Sequence, residues 1–189
     1  QIKSLSIVNC DIPINQILNT IKTDSKFSNN LSVLNLSFNT VDTYQPAFLK
    51  DLKFNIPSFL TVIILDYISF PYGILVPFLN SLFRSINNDS VLSLVQMNAS
   101  DDDFNNLDKM FMRLVNDFTK KKEDLRMFRC LKWDFNPIST YFMSFLEMQT
   151  SLLELSVSGC FCPKDSKCFD DFCRFIASSN SLSKLTCRR

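Results

Sequence analysis

Apolar residues return along this chain at short fixed intervals, with polar positions between them. Leu31, Leu34, Leu36 and Asn39 fit the pattern L-x-x-L-x-L-x-x-N. Related sets begin near residues 2, 31, 60, 89, 125 and 152, with a seventh begun at 182, giving steps of 29, 29, 29, 36, 27 and 30. They read Ile2, Leu5, Ile7 and Cys10; Leu60, Ile63, Leu65 and Ile68; Asp89, Leu92, Leu94 and Met97; Leu125, Phe128, Cys130 and Trp133; Leu152, Leu155, Val157 and Cys160; then Leu182, Leu185 and Cys187. Self-similarity at this period marks a repeat architecture. Positions four and six lie two apart, so on an extended segment both point into a core, while positions three, five and seven point away. The ninth position falls where the chain turns. An Asn there can satisfy turn backbone groups, and Ile68, Met97 and Trp133 are expected to interrupt that ladder.

Between these segments the apolar period changes to i, i+3, i+4, which predicts helices over 16–21, 47–54, 75–86, 107–118, 141–148 and 169–176. In the last of these the stripe reads Phe169, Phe172, Cys173 and Ile176. Each unit is thus one strand and one helix, and no unit buries its apolar stripe alone, so neighbours must stack. The expected fold is α/β, one array over 1–189, with parallel strands on one side of a curved stack and helices on the other. The array opens and closes in mid-pattern, as a segment of a longer solenoid would.

Composition agrees with a packed domain, at 46% hydrophobic and 21% charged residues. Nineteen Phe against one Trp and four Tyr suit a core filled many times over, since Phe adds bulk without a polar handle. With 20 basic and 19 acidic residues the net charge is +1, which offers no field for nucleic acid. The chain has no His and only two glycines, Gly73 and Gly159. Those absences exclude Ser-His and Cys-His dyads, His-bearing zinc sites and glycine-rich phosphate loops. Lysine or paired-carboxylate chemistry survives in principle but has no motif here, so no enzyme and no cofactor is expected. The most apolar stretch, 59–83, is broken by Asp66, Pro71, Gly73 and Pro77, which argues against a transmembrane span.

The outward positions form the candidate partner-binding face. Val33, Asn35, Val62, Ile64, Asp66 and Val91 supply its middle; Met127, Arg129 and Glu154 extend it. Phe38, Tyr67 and Lys132, at position eight, form a rim. An apolar strip of Val33, Val62, Val91 and Met127 beside two aromatics suits a protein partner, with charge gathering toward the end at Arg129, Lys132, Lys184 and Arg188. Seven cysteines are scattered without paired C-x-x-C spacing, so they read as structural thiols of a reducing, cytoplasmic setting. Four N-x-S sequons, at Asn30, Asn35, Asn88 and Asn98, fit that setting too, because a glycan on Asn35 would obstruct the outward face. Ser100 followed by Asp101, Asp102 and Asp103 reads as a helix cap, and Lys120 to Lys122 as a solvated loop in the longest unit.

The L-x-x-L-x-L-x-x-N/C units with full helical returns resemble leucine-rich repeats of the ribonuclease-inhibitor-like class, over essentially the whole chain. Their irregular spacing and abundant Ser, Asn and Phe resemble protist members of the CARMIL family. The resemblance implies a protein-binding scaffold working through the concave strand face, in the regulation of actin assembly, with peripheral membrane association arising outside this chain. That family's capping-protein-binding motif has no counterpart in these residues. The same repeat type occurs in Ran GTPase-activating proteins, which need an exposed Arg on a turn, and in the ligand-sensing repeats of intracellular receptors.

Overall fold

The computed structural model describes residues 2–23, 30–42, 56, 59–121, 125–160 and 166–188. Seven short strands, β1 (Ser4–Ser6), β2 (Val33–Asn35), β3 (Val62–Ile64), β4 (Ser90–Ser93), β5 (Phe128–Lys132), β6 (Glu154–Ser156) and β7 (Lys184–Thr186), form one sheet. Every pairing is parallel and the strand order follows the chain. The register puts Leu5, Leu34, Ile63, Leu92, Leu131, Leu155 and Leu185 in one row across all seven strands. A second row, Leu36, Leu65, Leu94, Trp133 and Val157, is buried beside it.

Five helices are described: α1 (Ile14–Thr23), α2 (Leu75–Ser85), α3 (Asp101–Lys121), α4 (Thr140–Glu147) and α5 (Ser166–Ser178). Each turns an apolar stripe onto the same core, such as Leu75, Phe78, Leu79, Leu82 and Phe83 from α2. The helix expected over 47–54 lies outside the described residues. Among the described residues, aromatic rings gather where α2, α3, α4 and β5 meet. There Phe83, Phe111, Phe128, Phe142, Phe145 and Trp133 form a chain of ring contacts with centroids 4.9–6.1 Å apart.

Several expectations need correction. The unit expected from Leu125 is displaced by three residues: Leu131 pairs with Leu92 and Leu155, so the pattern reads Phe128, Leu131, Trp133 and Asn136. That register fully buries Phe128, Leu131, Trp133 and Asn136. The expected one would have left Leu131 outward and Trp133 in the turn, forfeiting two large apolar surfaces. Leu125 instead bridges to Gln149. On α5 the buried stripe is Cys168, Phe172 and Phe175, while Phe169 is 63% exposed and Cys173 is exposed too. Cys168 Sγ donates to the Ile138 carbonyl at 3.6 Å.

The ninth position does the turn chemistry where an amide stands there. Asn39 Nδ2 donates to the carbonyls of Ile7 (2.7 Å) and Leu36 (2.9 Å), and its Oδ1 accepts from Cys10 N (3.1 Å). Asn136 repeats the arrangement, donating to Leu94 O (2.5 Å) and Trp133 O (3.1 Å) and accepting from Met97 N (2.9 Å). Cys160 Sγ takes the same role in part, donating to Trp133 O at 3.2 Å. The cap on α3 forms as expected. Ser100 Oγ accepts from Asp103 N (3.1 Å) and donates to Asp103 Oδ2 (2.6 Å), which also accepts from Gly73 N (3.0 Å) in the preceding unit. Lys120 and Lys121 belong to α3 rather than to a loop, and Lys122 lies outside the described residues.

Candidate functional site

The sheet face turned away from the core carries two columns. Position three reads Ser4, Val33, Val62, Val91, Cys130, Glu154 and Lys184; position five reads Ser6, Asn35, Ile64, Ser93, Lys132, Ser156 and Thr186. Short strands stacked in register force these side chains into lateral contact, so Val33, Val62, Ile64 and Val91 are each half-buried by their neighbours. They form one continuous apolar strip over β2–β4.

Of the expected site residues, Val33, Asn35, Val62, Ile64 and Val91 lie on this face. Met127 does not. It is 6% exposed and packs in the core, because the β5 register places Cys130 where Met127 was expected. Arg129 is exposed, one place ahead of the column. Lys132, expected on the rim, stands in the position-five column instead. Glu154 lies on the face and pairs with Lys184 at 3.0 Å.

The rim at position eight has an unusual backbone. Asn9, Phe38, Tyr67, Gln96, Phe135 and Gly159 hold that place in six successive units, and all have φ between 47° and 63°. The left-handed conformation costs a bulky side chain roughly 1–3 kcal/mol, yet three of the six are aromatic. Phe38 and Tyr67 stack with centroids 4.5 Å apart and planes 10° apart, while remaining 50% and 38% exposed. Phe135 lies over Gly159, where an added Cβ would sit 2.3 Å from the ring. Gly159 is thus fixed by both its φ and its neighbour.

Position seven braces the rim sideways. Asp66 Oδ1 accepts from Ser93 Oγ (2.7 Å) and Val95 N (2.9 Å), so this expected contact residue spends its carboxylate inside the fold. Asp134 Oδ1 does the same for Ser156 Oγ (2.7 Å) and Ser158 N (2.6 Å). Ser37 and Ser158 make the weaker equivalent, accepting from Asp66 N (3.3 Å) and Arg188 N (3.2 Å). Asn35 turns inward along the same line, its Oδ1 accepting from Ser37 Oγ at 2.7 Å.

Sequence reasoning missed Cys130, Asp134, Phe135 and Asn136. The available signal was the dipeptide: Asp134-Phe135 repeats Asp66-Tyr67 at the same place in its unit. Burial pushes the Cys130 thiol up, Glu154 adds to that, and Lys132, Lys184 and Arg129 oppose it. Burial likewise pushes Cys160 up, to about 12. Both stay neutral thiols at neutral pH. Among the described residues no group of three or more Cys, Asp or Glu could hold a metal ion, and Cys162 lies outside them. No described helix is long and apolar enough to cross a membrane. No protein-family model and no curated protein matches the chain.

Proposed function

We propose that this chain is a stretch of leucine-rich-repeat solenoid of the ribonuclease-inhibitor-like class, and that it binds a protein partner on the concave, open face of its sheet. The observation that carries this reading is the exposed Phe38–Tyr67 stack beside the strip of Val33, Val62, Ile64 and Val91. Exposed aromatics bordering an apolar strip are what an interface core is made of. The sequential parallel sheet, the row from Leu5 to Leu185 and the asparagine turns support the repeat class. A catalytic role has no support on this face, whose acids are already paired or bonded within the fold. Arg113 lies inside α3 and Arg129 inside β5, so neither supplies the turn-borne arginine of a GTPase activator. The resemblance to the CARMIL family suggests actin assembly as the process served.

The test compares proteins captured from a native lysate by the wild-type chain, by Ile64→Ser/Tyr67→Ala, and by Asn105→Ala on exposed α3. The double variant loses the captured partner, with a melting temperature lowered by only a few degrees; the α3 variant keeps it. Capture by the double variant equal to wild type would sink the open-face reading.

A further inference from the structure

The open face divides into two chemistries. Over β2–β4 it is apolar, with Val33, Val62, Ile64 and Val91 beside the stacked Phe38 and Tyr67. Over β5–β7 it is cationic. Arg129, Lys132 and Arg188 are exposed, and among the described residues none of their side chains has an ion-pair partner. The described carboxylates of β5–β7 and its rim are already engaged, Glu154 by Lys184 and Asp134 by Ser156 and Ser158. The register sets Cys130 and Lys132 on β5, with Arg129 next to Cys130, and carries that row through Glu154 to Lys184, so the charges stand on adjoining strands of the sheet.

We propose that the occupant of this face is an extended acidic polypeptide segment, its apolar side chains seated over β2–β4 and its carboxylates over β5–β7. The inference rests on the open-face reading above and deepens it by stating the partner's chemistry. An acidic segment supplies counter-charges for three cations that have no ion-pair partner among the described residues. A phosphate backbone or the headgroups of an anionic membrane would engage the cations but supply no side chains shaped to the narrow apolar strip and its aromatic pair. The overall charge of +1 gives no broad field to attract either of them.

Geometry fixes the spacing. Neighbouring strands lie about 4.8 Å apart, so three strand steps from β3 to β6 span roughly 14 Å; at about 3.3 Å per residue an extended chain covers that in roughly four residues. The acids of the partner therefore sit about four residues from its apolar anchor.

A phage-displayed library of random 12-residue peptides, selected in parallel on the wild-type chain and on Arg129→Glu/Lys132→Glu, tests the proposal. Both substituted positions are exposed, and matching melting curves show that the variant folds. The expected result on wild type is enrichment of peptides with Asp or Glu about four residues from an aromatic or aliphatic residue. On the charge-reversed variant the acids give way to Lys or Arg, and a wild-type-selected peptide binds it at least about tenfold more weakly by fluorescence anisotropy. Enrichment without acids, the same peptides on both proteins, or no enrichment overturns the proposal. So does binding of phosphatidylserine vesicles or single-stranded DNA that the charge reversal abolishes while no peptide is enriched. Acid-free peptides displaced by Ile64→Ser/Tyr67→Ala would leave the open-face reading standing and remove only the acidic partner. Acidic peptides that ignore that double variant would count against the open face itself.

Discussion

At the scale of single residues, the turn amides and the one rim glycine fix the fold most sharply. Asn136 is fully buried and bonds three carbonyls and one N–H from two units. Leaving such groups unpaired costs about 1–3 kcal/mol each, so Asn136→Leu should cost at least about 3 kcal/mol in urea unfolding; a loss under about 1 kcal/mol would mean the turn relaxes without it. The two glycines separate conformation from contact. Gly73 has φ +76° but nothing within 4 Å of an added Cβ, whereas Gly159 adds the Phe135 clash to its φ of +63°. Gly73→Ala should cost about 1 kcal/mol, the backbone term alone, and Gly159→Ala about 1–3 kcal/mol more. Equal losses would show that Phe135 swings aside freely. Cys160 gives a pH dependence. Its folded-state value is raised to about 12, while an unfolded cysteine titrates near about 8.5. Between those values the unfolded chain has released a proton that the folded chain keeps, so this contribution is intact below about pH 8.5 and is lost as pH rises toward 12. Wild-type stability should fall faster than that of Cys160→Ala from pH 9 to 11, by no more than about 1.4 kcal/mol per pH unit. Parallel pH profiles would show that Cys160 is not held neutral.

Elements were legible wherever apolar spacing alone decides them. The strands at Leu34, Ile63, Leu92 and Leu155 lie in the expected register, since a slip of one residue would turn each buried leucine to solvent. The fifth unit was misread because Leu125 is itself apolar and buried, three residues before Phe128, and so imitates a first position. The competing evidence, an Asn at 136 and an Asp-aromatic pair at 134–135, lay beyond the window that Leu125 defines. Met127 and Lys132 were misplaced on the face for that reason alone. Helix starts were less legible than helix faces. The stripe from Leu107 marks the core side of α3, but the helix begins at Asp101 because Ser100 caps it and Asp103 reaches back to Gly73. Ser100→Ala removes an N-cap and should cost about 1 kcal/mol. Asp103→Ala removes the capping partner and the tie to Gly73 together and should cost about twice that. Urea midpoints of the two variants separate local capping from the link between units, and equal losses would mean the Gly73 bond contributes nothing.

At the scale of the whole molecule, backbone proximity among the described elements follows chain order, from β1 to β7 along the sheet and from α2 to α5 along the helices. Stability in such a stack is a sum of unit and interface terms, so it need not be uniform from end to end. The ring cluster makes the middle the strongest part: Phe83, Phe111, Phe128 and Phe145 tie α2, α3, β5 and α4 into one packed group. Among the described residues the end strands are less covered, with Leu5 only half-buried and Leu185 37% exposed in β7. Hydrogen exchange should therefore open inward from both edges. The amides of Leu94 and Trp133, bonded to Lys132 and Ser156, should be the slowest on the sheet; those of Ile7 and Val157, bonded to Asn35 and Thr186 at the two ends, should be the fastest. Phe111→Ala, which empties the centre of the cluster at about 3–5 kcal/mol, should bring the slow amides toward the rates of the edges. Equal protection across all seven strands before the substitution would show instead that the stack opens as a single cooperative block.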